Sequence, residues 1–131
     1  MPLHDDPTFH AFWRERLYST LTTFRPDGTP HVVPVCATYD PATHTARVVT
    51  RGGSRKARNV AAAGPEGTRV ALCQLDRARW ATLEGRAVVR TDPALIADAE
   101  ERHESRYGRR PRPNPERVLL EIAVDRTMGR Y

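Results

Sequence analysis

Residues 17–50 read LYSTLTTFRPDGTPHVVPVCATYDPATHTARVVT, and this stretch decides the fold. Leu17 to Phe24 is rich in Leu, Thr and aromatic residues and predicts a strand. Arg25-Pro26-Asp27-Gly28 follows: proline presets φ and glycine accepts the positive φ that closes a hairpin. His31 to Tyr39 predicts the second strand, with Pro34 pointing to an edge position or a bulge. Asp40-Pro41-Ala42-Thr43-His44 is a second hairpin loop, and Ala46 to Thr50 the third strand. Three strands in succession, each joined by a hairpin, exclude a parallel βαβ fold.

Outward from this stretch the pattern alternates. Pro7 to Arg16 carries Phe9, Phe12 and Trp13 at helical spacing, which predicts a short helix capping one end of the core. Ser54 is a helix N-cap for Arg55 to Ala63, and Gly64-Pro65-Glu66-Gly67 stops that helix. Arg69 to Leu75 and Trp80 to Arg90 are strands, with Gly85 a bulge or close approach. Asp92-Pro93 starts a helix running to about Tyr107, whose polar face carries Asp98, Glu101, Arg102 and Arg106. Arg109 to Pro115 is a proline-rich loop, and Arg117 to Thr127 the last strand. The expected class is α+β, mainly β: one domain over residues 1–131, six antiparallel strands closing a small barrel with short flanking helices.

Composition narrows the function. The 131 residues carry a formal charge of +5. The basic residues are spread along the chain and interleaved with acids, so nucleic acid is not the expected partner and a small anionic ligand explains the excess. No apolar run approaches the roughly 20 residues of a membrane span. His4, Asp5 and Asp6 do not resemble a secretion signal, so the expected location is cytoplasmic with no membrane partner. Cys36 and Cys73 lie in apolar runs, as buried reduced thiols do, and no metal-ligand spacing is present. Lys and Arg total 21, and Lys56 is the one lysine among them.

Lys56 belongs to Thr50-Arg51-Gly52-Gly53-Ser54-Arg55-Lys56-Ala57-Arg58-Asn59. A strand ends, two glycines let the backbone approach a ligand, and a helix begins whose first N–H groups face incoming anions. Ser54 offers a hydroxyl, Arg55, Lys56 and Arg58 offer charge, and Asn59 can reach back from the next turn. The same residues read equally well as an N-capped surface helix with solvated basic side chains. The spacing is neither that of a P-loop nor GxGxxG.

With Leu21-Thr22-Thr23, Pro30-His31-Val32-Val33-Pro34-Val35, Ala46-Arg47-Val48-Val49-Thr50, Ala78-Arg79-Trp80, Leu83-Glu84-Gly85-Arg86-Ala87 and Arg112-Pro113-Asn114-Pro115, this segment resembles the pyridoxamine-phosphate-oxidase-like split barrels. More narrowly, it resembles their actinobacterial branch that uses the deazaflavin coenzyme F420, and within it the biliverdin reductase group. The resemblance implies a cytoplasmic homodimer with cofactor sites at the interface. It implies that Ser54, Lys56 and Asn59 hold the cofactor phosphate. It places the backbone of His31, Val32, Val33 and Pro34 along the ring, and Thr50, Arg51 and Gly52 near the ribityl chain, with Gly53 also among the cofactor-binding residues. Arg79 and Trp80 would come from the second subunit. The implied activity is hydride transfer from reduced F420 to a conjugated molecule, a biliverdin-like tetrapyrrole first. The alternatives are an FMN-dependent oxidoreductase of the same fold and a non-catalytic carrier of flavin, haem or bilin. The cofactor would carry the hydride, so no protein nucleophile is expected and the catalytic residues stay unassigned.

Overall fold

The computed structural model describes residues 3–131. Seven antiparallel strands form one sheet in the order β2-β1-β5-β6-β7-β4-β3. They are β1 (Ser19–Phe24), β2 (Pro30–Val35), β3 (Ala37–Asp40), β4 (Thr45–Arg51), β5 (Thr68–Asp76), β6 (Arg79–Arg90) and β7 (Arg117–Arg130). Three helices accompany them: α1 (Pro7–Phe12), α2 (Arg55–Ala61) and α3 (Pro93–Tyr107).

The seventh strand corrects the count of six. The expected single strand His31–Tyr39 breaks at Cys36 into β2 and β3, which lie on opposite edges of the sheet. Two edge strands joined by one residue force the sheet to curl until its edges meet, so the barrel closes through the chain rather than through a ladder of hydrogen bonds. Pro34 does sit on an edge strand, where its missing N–H leaves no ladder bond unmade.

The first hairpin follows its turn chemistry. Arg25 N donates to Thr29 O at 2.9 Å, and Asp27 Oδ1 accepts from both Thr29 N and Thr29 Oγ1. Gly28 has φ of +86°, which side-chain-bearing residues rarely adopt. Helix α3 begins as expected: Asp92 caps it by accepting from Ala94 N at 2.8 Å, with Pro93 in the first turn. Phe9, Phe12 and Trp13 bury against Leu21, Leu72, Leu83, Leu120 and Ile122 inside the curl. The thiols are half-buried rather than buried, and both are free.

The strands β6 and β7 carry a bulge between Glu84 and Gly85. A Cβ at Gly85 would stand 2.2 Å from Ala123 O and 2.9 Å from Val124 Cα, backbone atoms that cannot swing aside. Gly85→Ala is therefore expected to destabilise the fold by about 1–3 kcal/mol. A urea midpoint equal to that of the parent would show that the ladder yields at the bulge.

The outer face of the curl is different in character. Val32 and Pro34 of β2, Leu75 of β5 and Trp80 of β6 lie exposed there, with the half-buried Ala71 and Cys73 between them. No helix covers this part of the sheet among the described residues. No helix of the described residues is long and apolar enough to cross a membrane.

Candidate functional site

Strand β4 ends at Arg51, and Ser54 opens α2. Ser54 Oγ accepts from Ala57 N at 3.3 Å and from Thr50 Oγ1 at 3.2 Å, which leaves its own O–H free to donate outward. The N–H groups of Arg55 and Lys56, in the first turn, have no helical acceptor. Gly52 donates its N–H to Glu116 O at 2.8 Å, so that group serves the β4–β7 junction rather than an anion. Neither Gly52 nor Gly53 needs a positive φ.

Asn59 turns inward. It is buried, and its Nδ2 donates to Thr23 Oγ1 at 3.0 Å, tying α2 to β1. The expected reach toward the helix start is not what the side chain does. Its Oδ1 is buried with no partner.

Charge is the distinctive property. Among the described residues, Arg51, Arg55, Lys56 and Arg58 form no ion pair. Burial pulls the Lys56 pKa down, and the neighbouring Arg51 adds to it. Crowded cations that lack carboxylates gain when an anion arrives.

His31 faces the same cluster. It points to the inner side of β2, opposite Thr23, and its Nδ1 is buried without a partner. Desolvation lowers its pKa, and Arg25, Lys56 and Arg55 lower it further, so the ring is neutral near pH 7. Val33 shares the inner side, while Val32 and Pro34 point outward. The free edge of β2 leaves main-chain groups open to a ligand.

Arg79 and Trp80 lie elsewhere. Through β5, Trp80 aligns with Leu75, while Thr22, next to Thr23, aligns with Ala71, four positions away, or roughly 13 Å along the strand at 3.3–3.4 Å per residue. Trp80 is also on the outer face. One chain therefore does not bring these two residues to the Lys56 cluster. Arg79 is held by Glu15 at 2.6 and 2.9 Å and by Asp76 at 2.6 Å, and these carboxylates raise its pKa.

The expected polar face of α3 needs one correction. Arg106 is buried, not solvated. Its guanidinium donates to Glu15 O, Ala37 O and Gln74 Oε1 at 2.6–3.0 Å. Gln74 in turn donates to Phe12 O at 2.8 Å. The alternation of β5 puts Gln74 in phase with Val70 and Leu72, which is the one sequence signal that a polar partner lies inside.

A curled antiparallel sheet thus carries a cationic helix start near the free edge of β2. Residues 6–130 match the pyridoxamine 5'-phosphate oxidase family model, and the chain belongs to that family. It is 50% identical over 119 residues to the F420H(2)-dependent biliverdin reductase of Mycobacterium tuberculosis, covering 91% of this chain and 83% of that protein. A solved F420 reductase shares the fold with TM-score 0.68 and 24% identity, over 91% of this chain and 94% of the other. A conserved hypothetical protein of Mycobacterium tuberculosis shares it with TM-score 0.77 and 23% identity, over 97% and 84%.

Proposed function

We propose that this chain is an F420-dependent reductase, working as a homodimer on a flat conjugated acceptor of the biliverdin type. The observation that carries the cofactor reading is the unpaired cluster of Arg51, Arg55 and Lys56 at the start of α2, facing neutral His31. The 50% identity to a biliverdin reductase supports the choice of F420 and of the acceptor.

The residues fit a phosphate-bearing cofactor. The Ser54 hydroxyl, the first-turn N–H groups and the Lys56 ammonium are donors that converge at one helix start. When bound, the deazaflavin supplies the hydride. With the cofactor bound, Ser54 and Lys56 would hold the phosphate, and the free edge of β2 with His31 would face the ring. Arginines remain charged, so their role toward an acceptor with propionates is pairing rather than proton donation.

The dimer reading rests on the uncovered outer face and on register. A second copy seated on Val32, Pro34, Leu75 and Trp80 would bury the apolar side chains. It would also bring Arg79 and Trp80 of the partner subunit toward a cofactor that their own chain cannot reach.

The test is a pair of titrations. F420 and FMN are added separately, and quenching of cofactor fluorescence is followed alongside the mass of the particle in solution. F420 is expected to bind more tightly than FMN, to a dimer, and reduced F420 to be consumed when biliverdin is added. A preference for FMN would replace the cofactor, binding without turnover would leave a carrier, and a monomer would remove the shared site.

His31 gives an independent readout. A bound phosphate offsets Arg55 and Lys56, so the His31 pKa is expected to rise on cofactor binding. By linkage, affinity then increases as pH falls through the titration of His31. An imidazole resonance whose titration is unmoved by the cofactor would take His31 out of the site.

A further inference from the structure

Strand β2 ends at Val35, and β3 begins at Ala37 on the opposite edge of the sheet. Ala37 pairs with Val48, so Val49, Thr50 and Arg51 run on past β3 with β7 as their one strand partner. A cleft therefore opens at Cys36, between β2 and the end of β4. One end of it holds His31 and the start of α2. The other end, at Cys36, is five residues along the chain from His31, or roughly 17 Å at the usual rise.

The segment from Arg109 to Pro115 runs beside this cleft. Burial raises the pKa of the Cys36 thiol and the charge of Arg109 opposes the rise, which places Arg109 near the Cys36 end. Arg117, just past the segment, pairs with Arg51. A pocket of about 480 Å³ lies on the segment, lined by His103, Arg109, Arg110, Pro111 and Arg112. That size falls within the roughly 300–1,000 Å³ of small-molecule sites.

The lining carries no acid. Arg109 and Arg112 are exposed and form no ion pair among the described residues. Arg110 is partly offset by Glu104 at 3.6 Å, and Glu100 is held by Arg117 at 2.6 Å. Half-buried His103 reports the net field. Burial lowers its pKa, and Arg109 and Arg117 lower it further against the opposing pull of Glu100.

Cations gather at helix C-termini for the sake of the helix alone. The end of α3 is already served by other groups: Gly108 N donates to Glu104 O at 2.8 Å, and Arg16 Nε to Arg106 O at 3.0 Å. The segment is also pinned. Pro111, Pro113 and Pro115 fix φ, Arg112 O accepts from Arg117 Nη2 at 2.6 Å, and Asn114 Oδ1 accepts from Glu116 N at 2.9 Å. A backbone held in place lowers the ordering cost of binding.

We propose that Arg109 and Arg112 set the specificity for the acceptor, taking its carboxylates at the Cys36 end of the cleft while the α2 cluster takes the cofactor phosphate at the other. The inference rests on the reductase reading above. A guanidinium fork matches a carboxylate, and two of them here face no competing acid. A flat acceptor lying between the two ends is then oriented by charge, and an analogue with masked carboxylates is not.

The test compares biliverdin with its dimethyl ester, in which both carboxylates are masked. Binding to the full chain is read from the bilin absorbance, with and without oxidised F420. Biliverdin is expected to bind at least tenfold more tightly than the ester. Arg109→Gln and Arg112→Gln are each expected to weaken biliverdin about five- to tenfold, the scale of one charge-assisted hydrogen bond at an exposed site. Both variants should leave the Kd of the ester and of F420 unchanged. The His103 imidazole titration should move to higher pH with biliverdin and not with the ester, since a carboxylate offsets Arg109. The assignment is overturned if acid and ester bind alike, if neither binds, or if the variants weaken both equally. It is equally overturned if the variants lose F420 instead, which would give the pocket to carboxylates of the cofactor. A chain that binds no F420 would fail the reductase reading, and the ratio of acid to ester without cofactor would still decide the pocket.

Discussion

Arg106→Leu is expected to lower the stability of the fold by about 3–5 kcal/mol, read as a fall in the urea midpoint with an unchanged slope. Helix α3 is fifteen residues long, yet only Ala99 and Arg106 are buried in it. The helix is therefore anchored less by an apolar stripe than by one guanidinium. That group ties the C-terminal turn of α3 to the chain after α1, to the start of β3 and to β5, through Glu15 O, Ala37 O and Gln74 Oε1. Leucine fills the space but leaves Gln74 Oε1 without a donor, at a cost of about 1–3 kcal/mol, and strips the charge-assisted bonds from Glu15 O and Ala37 O, which keep only Leu17 N–H and the Tyr107 hydroxyl. Lysine recovers little, because a single ammonium cannot span acceptors that a planar fork reaches together. Arg102→Leu is the control: its pairs with Asp98 and Asp40 are partly exposed, and its loss should stay within about 1 kcal/mol. An Arg106→Leu protein as stable as the Arg102→Leu one would mean that α3 is held by other contacts.

The same residue marks where reading the sequence stops. Alternation and Pro-Asp-Gly chemistry made β1, β2 and β4 legible, because those signals act over a few neighbouring residues. The break at Cys36 was not, because HVVPVCATY contains no turn residue between Val35 and Ala37. The chain changes sheet edge there only when the sheet curls, a tertiary event. Arg106 read as solvated since its helix shows no apolar side to contradict it. Gln74 was in phase with core positions, but its partners are 32 and 62 residues away in the sequence. In the candidate site, the Ser54 cap and the basic run were legible as local chemistry. The direction of Asn59 was not, since only the packing of α2 on β1 brings Thr23 within its reach. His31 sits in a strand and announces nothing by itself; what marks it is the company of Arg55 and Lys56 across the fold.

That company sets the second large effect. Arg55→Ala combined with Lys56→Ala is expected to reduce affinity for a phosphate-bearing deazaflavin by about 3–5 kcal/mol, on the order of 10²- to 10⁴-fold. A charge-assisted hydrogen bond contributes about 1.5–3 kcal/mol, so Lys56→Ala alone should lose about 1–3. The two residues share one anion and repel each other in its absence, so the sum falls short of additive. The cations around His31 would then number fewer, and its pKa should climb toward the ordinary range in the free protein, a change visible without any cofactor. The fold should not suffer: Ala57 and Val60 supply the buried side of α2, Asn59 still bonds Thr23, and two like charges are gone. Binding should also become less sensitive to salt, because fewer charges are left for added ions to screen. Affinity within threefold of the parent, in a protein whose His31 titration has nonetheless moved, would separate the two ideas. The cluster would be real, and the cofactor phosphate would be held somewhere else.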